Sequence, residues 1–176
     1  RNAQAWLTRA VIESVRGELG AARRSCAVLL SLGNRLTATT CLAQVGSLSG
    51  RAERSYALLE RCALAASADA EPIGEVRATR DEELWALTTL AEIAARRGLR
   101  DRAERWFERA AAIAADDSYL LAARADFWLD AGRPEAVVAA LARETRRDGL
   151  LLRLALAERR LGLASLQSHS DELRAR

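Results

Sequence analysis

One spacing constrains this chain more than any other feature. An alanine stands seven residues before a glycine five times over: Ala10/Gly17, Ala43/Gly50, Ala91/Gly98, Ala125/Gly132 and Ala155/Gly162. Successive glycines are 33, 48, 34 and 30 residues apart. A period near 34 belongs to stacked helix–turn–helix units, in which no single unit buries its apolar face without a neighbour. Within each unit the alanine lets two helix axes approach closely. The glycine ends the first helix, because it takes the left-handed backbone conformation at little cost.

Other positions keep the same register. Five residues before each glycine stand Ile12, Val45, Ile93, Phe127 and Ala157; twelve before stand Ala5, Ala38, Ala86, Leu120 and Leu150. Apolar residues stepping by three, four and seven mark one face of a helix. The segments after the glycines also align. GELGAARRSCAVLL sets Ala22 and Cys26 against Ala103 and Phe107 of GLRDRAERWFERAA, and GRAERSYALLER matches GRPEAVVAALAR. Pro134 falls in the first turn of its helix, where a missing N–H costs nothing. The stretch from Leu84 to Gly149 is the most regular.

The interval of 48 is too long by about half a repeat, and the surplus falls in SADAEPIGEVRATRD, residues 67–81. Pro72 and Gly74 in a polar stretch read as an extended loop, either a tolerated insertion or a functional one, with Asp81 opening the next helix. Asp148-Gly149 reads as a helix end. LLLRLALAERRLG then forms a helix, and LQSHSDELRAR a final polar one that caps the array or packs on sequence beyond Arg176.

Composition excludes several classes of function. With aromatics at 5%, the core comes from Ala, Leu, Val and Ile; with two prolines in 176 residues, the chain is all-α. No apolar run reaches the ~20 residues of a membrane span, so no membrane insertion is expected. All 27 basic residues are arginine, interspersed with 24 acidic ones to a net +3, a mixed surface and not a stripe for nucleic acid. The arginine pairs at 23–24, 96–97, 146–147 and 159–160 lack interleaved aromatics, so no nucleic-acid partner is expected. Three cysteines without a CxxC and a single histidine exclude the usual zinc spacings, and neither metal nor cofactor is expected. The start RNAQAWLTRA, without Met or an apolar leader, reads as a segment of a longer protein.

These residues resemble the tetratricopeptide repeat (TPR) family. Leu87, Ala91, Gly98, Ala103, Phe107 and Ala110 fill that family's large, small, glycine, small, aromatic and alanine places in the third repeat; Trp6, Ala10, Gly17 and Ala22 fill the early ones in the first. The resemblance covers nearly the whole chain. It departs four residues before the glycine, where Glu13 and Gly46 replace the usual tyrosine, and the proline that customarily follows the second helix is absent. The resemblance implies an all-α, right-handed α-solenoid of about five TPR-like helix–turn–helix repeats. They fall near 3–32, 35–66, 82–117, 118–148 and 149–176 of a single domain, 1–176. More narrowly, AQAWLTRA, TCLAQVGSLSGRAERSYALL and LLAARADFWLDAGRPEAV resemble exported bacterial TPR proteins of unknown function. That implies a periplasmic or exported location.

In the family's geometry, Gln44, Trp85, Thr88, Glu92, Arg96, Tyr119, Asp126, Asp130, Arg159 and Arg160 line a concave groove. The implied function is a non-catalytic scaffold or adaptor binding a peptide or protein surface there. The alternative is a ligand-sensing or regulatory arm of a larger signalling or transcription-regulating protein. The lysine-rich clamp that some family members close on a C-terminal carboxylate has no counterpart in a chain without lysine. Cys26 and Cys41 fall on facing helices of the first two repeats. They read either as a disulfide stapling those repeats in an oxidising compartment or as two small buried hydrophobes. Cys62 reads as an unpaired core residue. His169, in SHSD, reads as a surface histidine, since adjacent helical residues point to different faces and form no triad. Glu92, Asp126 and Asp130 read as contacts for basic partners, and no enzyme is expected.

Overall fold

The structure is a computed structural model that describes residues 2–33, 35–67, 78–143 and 147–175. Ten helices run in order: α1 (Ala3–Val15), α2 (Leu19–Ser31), α3 (Arg35–Leu48), α4 (Ala52–Ser67), α5 (Arg80–Arg96), α6 (Arg100–Ile113), α7 (Ser118–Asp130), α8 (Pro134–Leu141), α9 (Asp148–Leu161) and α10 (Leu166–Ala175). There is no strand among the described residues. They form five antiparallel pairs, and the periodic glycine closes each pair. Gly17, Gly50, Gly98, Gly132 and Gly162 all take positive φ, between 66° and 78°. The residue after each glycine donates its N–H to the carbonyl five residues back: Glu18 to Glu13, Arg51 to Gly46, Leu99 to Ala94, Arg133 to Trp128 and Leu163 to Glu158. That is a Schellman closure, which satisfies carbonyls the helix end would leave unpaired.

The chain divides into two compact units, Arg1–Ile113 and Ala114–Arg176. In the first, each helix of α1 to α6 packs on its neighbour in sequence, and α1 also meets α3, as α3 meets α5. The backbones of α2, α4 and α6 make no such mutual approach among the described residues. The pairs are thus tighter on the α1–α3–α5 side, which makes it the inner side of this unit. In the second unit α7, α8, α9 and α10 pack in sequence, with α7 also against α9.

The repeat alanines explain the close approach: Ala10, Ala43, Ala91, Ala125 and Ala155 are all buried. Nine residues after the glycine, Cys26, Leu59, Phe107 and Leu141 are buried as well. Each fully buried leucine or larger side chain contributes about 1.5–3 kcal/mol. Where α1 and α2 meet α3 the core is small: Ala10, Ala22, Leu29, Ala38 and Val45 cluster with Cys26 and Cys41. These two cysteines are joined by a disulfide with Cα atoms 5.5 Å apart, linking α2 to α3. Cys62 is free and half-buried on α4, not part of the core.

With no lysine available, arginine covers the rings. Arg97 and Arg102 lie over Tyr56, Arg109 over Trp106 and Arg124 over Trp128. Trp106 donates to the Tyr56 hydroxyl at 2.9 Å, and that hydroxyl donates to Glu60 at 2.7 Å. Burial pushes the Tyr56 phenol above its usual range.

Two helix starts differ from the sequence expectation. α5 begins at Arg80, not Asp81, because Thr79 caps it: the Thr79 hydroxyl accepts from the Glu82 N–H while Glu82 accepts from the Thr79 N–H. The rest of the expected 67–81 loop, residues 68–77, lies outside the described residues. Asp148-Gly149 opens α9 and does not end a helix. Asp148 is placed where a carboxylate favours a helix N-terminus, and Gly149 keeps a negative φ.

Candidate functional site

The inner side of each unit is built by the first helices of the pairs, so each candidate residue is located by its distance before the closing glycine. In the first unit, Trp85 of α5 is half-buried against the core around the disulfide, and Gln44 and Glu92 are half-buried. Arg96 is exposed and donates from Nη2 to Ser47 Oγ at 2.9 Å, tying the end of α5 to the end of α3. Thr88 does not line the surface. It is 0% exposed, and its hydroxyl donates to the Leu84 carbonyl at 2.9 Å. Thr40, at the same register on α3, is buried in the same way on the Leu36 carbonyl. On α3 and α5, ten residues before the glycine is therefore a buried position, not a groove position.

In the second unit, Tyr119 is exposed at 36% on α7. Asp126 is held by a two-pronged ion pair: Arg153 donates Nε to Oδ1 at 2.8 Å and Nη2 to Oδ2 at 2.6 Å. Arg153 has no counterpart in the sequence reading, since its partner is 27 residues away. Arg160 donates to the Leu129 carbonyl, and Asp130 and Arg159 are exposed. Asp126 is thus a neutralised carboxylate, while Asp130 and Arg159 face solvent.

The register also finds inner-side residues beyond that set. Six and two residues before the first glycine stand Val11 and Val15, and two before the second stands Leu48. All three are exposed. The signal that locates them is the count that locates Glu92 and Arg96, applied to Gly17 and Gly50.

Two carboxylates are buried at a shared place, four residues before the glycine. Glu13 accepts from Ser25 Oγ at 2.6 Å and from Arg9 Nε at 2.8 Å, and these donors hold its pKa below the usual carboxylate value. Glu158 accepts from Ser165 Oγ at 2.6 Å and meets His169 Nδ1 at 2.8 Å. His169 is therefore a half-buried partner of Glu158, not a surface histidine. The three groups do not make a nucleophile–base pair, because Ser165 is bonded to the carboxylate and not to the imidazole. Among the described residues no three His, Cys, Asp or Glu side chains gather as a metal site, and no helix is long and apolar enough to cross a membrane. A shallow depression of about 640 Å³ lies on α1, lined in part by Gln4, Thr8, Arg9, Ile12 and Glu18.

No protein-family model and no curated protein matches this chain. A solved structure does: the crystal structure of a kinesin-light-chain-like protein of Podosopora anserina, built of nearly identical TPR-like repeats. It superposes with a TM-score of 0.63 at 20% identity, covering 98% of this chain and 93% of the other. With ten helices in five glycine-closed pairs among the described residues, this chain has the fold of a TPR-like helical repeat protein.

Proposed function

We propose that this chain is a non-catalytic protein-interaction scaffold that holds a peptide or protein surface against the inner faces of its first helices. The observation that carries this reading is the side-chain distribution on the inner side of the first unit. Core positions there are filled by buried Ala, Leu and Ile, yet the places two and six residues before the glycines carry solvent-accessible Val11, Val15, Leu48, Glu92 and Arg96. Solenoid faces of this kind serve binding more readily than chemistry. The test is capture from an extract of the source cell. Wild type is expected to retain a protein that the folded variant Trp85→Ala, Glu92→Arg, Asp126→Arg does not; equal retention by both overturns the inner-face reading.

We also propose that the chain matures in an oxidising compartment, on the exported side of a bacterial cell. The buried Cys26–Cys41 disulfide supports this, since such bonds persist where thiols are not kept reduced. Thiol titration of denatured, unreduced protein from its native location is expected to find Cys62 alone. Three titratable thiols would sink the idea.

A further inference from the structure

The first pair carries charge where the third is apolar. On α1, Trp6, Arg9 and Glu13 follow one another by three and four residues and share a face. Ala21, Arg24, Ser25 and Val28 do the same on α2, and the two faces line a depression of about 230 Å³. In the third pair the places of Arg9, Glu13 and Ser25 are taken by Leu90, Ala94 and Trp106. Those three are buried, and Trp106 reaches back to Tyr56 of the pair before it. The first pair thus keeps a polar, open recess at a place that the third fills with apolar side chains.

Glu13 sets up the charge in that recess. It is 7% exposed, and each of its oxygens is fixed, Oε2 by Ser25 Oγ at 2.6 Å and Oε1 by Arg9 Nε at 2.8 Å. The buried carboxylate therefore holds the Arg9 guanidinium by one edge, above the Trp6 ring at 5.3 Å from its centroid. Arg9 makes no other hydrogen bond or ion pair among the described residues, so its Nη donors are left over. Arg24 is exposed beside the same depression and makes neither kind of bond among those residues. Glu13 balances Arg9, and Arg24 leaves the lining with a single positive charge. Trp6, packed against the disulfide cluster, forms an apolar wall with half-buried Ala21 and Val28.

We propose that this depression binds a small organic monoanion, a carboxylate joined to one aromatic ring or branched apolar group. The Nη donors of Arg9 and the fork of Arg24 receive the carboxylate, and the apolar body covers Trp6, Ala21 and Val28. The volume lies below the ~300–1,000 Å³ of clefts that take drug-sized ligands, which limits the body to about one ring. The single net charge favours a monoanion over a phosphate dianion. This site goes beyond the scaffold reading and does not rest on it.

The test is NMR of the isotope-labelled chain, read at the Trp6 indole N–H, the signal that disappears in Trp6→Phe. Benzoate and phenylacetate are the probes, with benzamide as the neutral control and phenyl phosphate as the dianion. Both acids are expected to shift that signal saturably with a Kd of about 1 mM or below, and benzamide to bind at least about tenfold more weakly. Arg24→Gln changes an exposed residue with no hydrogen bond of its own, and is expected to weaken benzoate about tenfold. Glu13→Gln keeps the shape but removes the balancing charge, so it is expected to shift preference severalfold from benzoate toward phenyl phosphate. A Glu13 that only filled space would leave that preference unchanged. Circular dichroism checks that the variants fold. Benzamide binding as well as benzoate, benzoate binding untouched by Arg24→Gln, an unchanged preference in Glu13→Gln, or no saturation by about 10 mM overturns the proposal.

Discussion

The first and third helix pairs share one hairpin and hold it by different means. In α5–α6 the residue four before the glycine is Ala94, and the core around it is Leu87, Leu90, Ile93 and Phe107, all buried. In α1–α2 the same place holds Glu13, bonded to Ser25 and Arg9, over a smaller core of Ala10, Ala22, Leu29 and the half-cystine Cys26. Both pairs close with the same Schellman bond from the residue after the glycine. The backbone motif therefore does not dictate what lies beneath it. Apolar packing holds one pair; hydrogen bonds to a buried carboxylate hold the other, and a covalent link ties its second helix to α3.

The sharpest way to test this contrast is Phe107→Ala. Phe107 is 1% exposed in the third pair, and truncating a buried phenylalanine costs about 3–5 kcal/mol. Urea denaturation is expected to show that loss. A change of a few tenths of a kcal/mol would mean that the third pair does not depend on its apolar core.

Next in size is the disulfide. Its half-cystines are 15 residues apart, and closing a loop of that size contributes about 3 kcal/mol. Reduction, or Cys41→Ser, is expected to raise amide exchange in α2 and α3 while α5 and α6 keep their protection. Equal loss in α5 and α6 would break the comparison, since the link would then serve the whole unit.

The contrast also shows what the sequence makes legible. The Ala-to-Gly spacing sets the five pairs, because a small residue and a left-handed glycine are needed wherever two helices meet and turn. The position of Trp85 against the disulfide core follows less directly, since it depends on how α5 stacks on α3. Thr88 misleads because its hydroxyl is satisfied by its own helix, so nothing in its chemistry announces burial. Glu13 and Glu158 look like surface acids, and their partners Ser25, Ser165 and His169 lie 7 to 12 residues away on other turns. Val15 and Leu48 are legible only once the register is applied evenly to every repeat. The start of α5 is hard to read because Asp81 competes with Thr79 as a helix start, and only Thr79 forms the reciprocal bond with Glu82.

The smallest expected effect is the one most specific to the first pair: its response to acid. Ser25 and Arg9 donate to the ionised form of Glu13, which lowers its folded pKa below the ordinary 4.5. The unfolded chain titrates near the ordinary value. The stability from this group is therefore fully present above that value and is lost as pH falls through the lower folded one. Glu82 carries the same sign at the α3–α5 joint. Burial works to raise its pKa, but donation from the Thr37 hydroxyl and from Thr79 holds it below the ordinary range. Glu13→Gln keeps the shape and an acceptor for Ser25 but removes the ionisation. Amide exchange of α1 and α2, followed from about pH 6 to about pH 3, is expected to lose protection more steeply in wild type than in this variant. The α5 amides are expected to respond alike in both, because Glu82 is unchanged. Parallel slopes in α1 and α2 would mean that Glu13 is not a carboxylate stabilised in place, and the polar half of the contrast would fall.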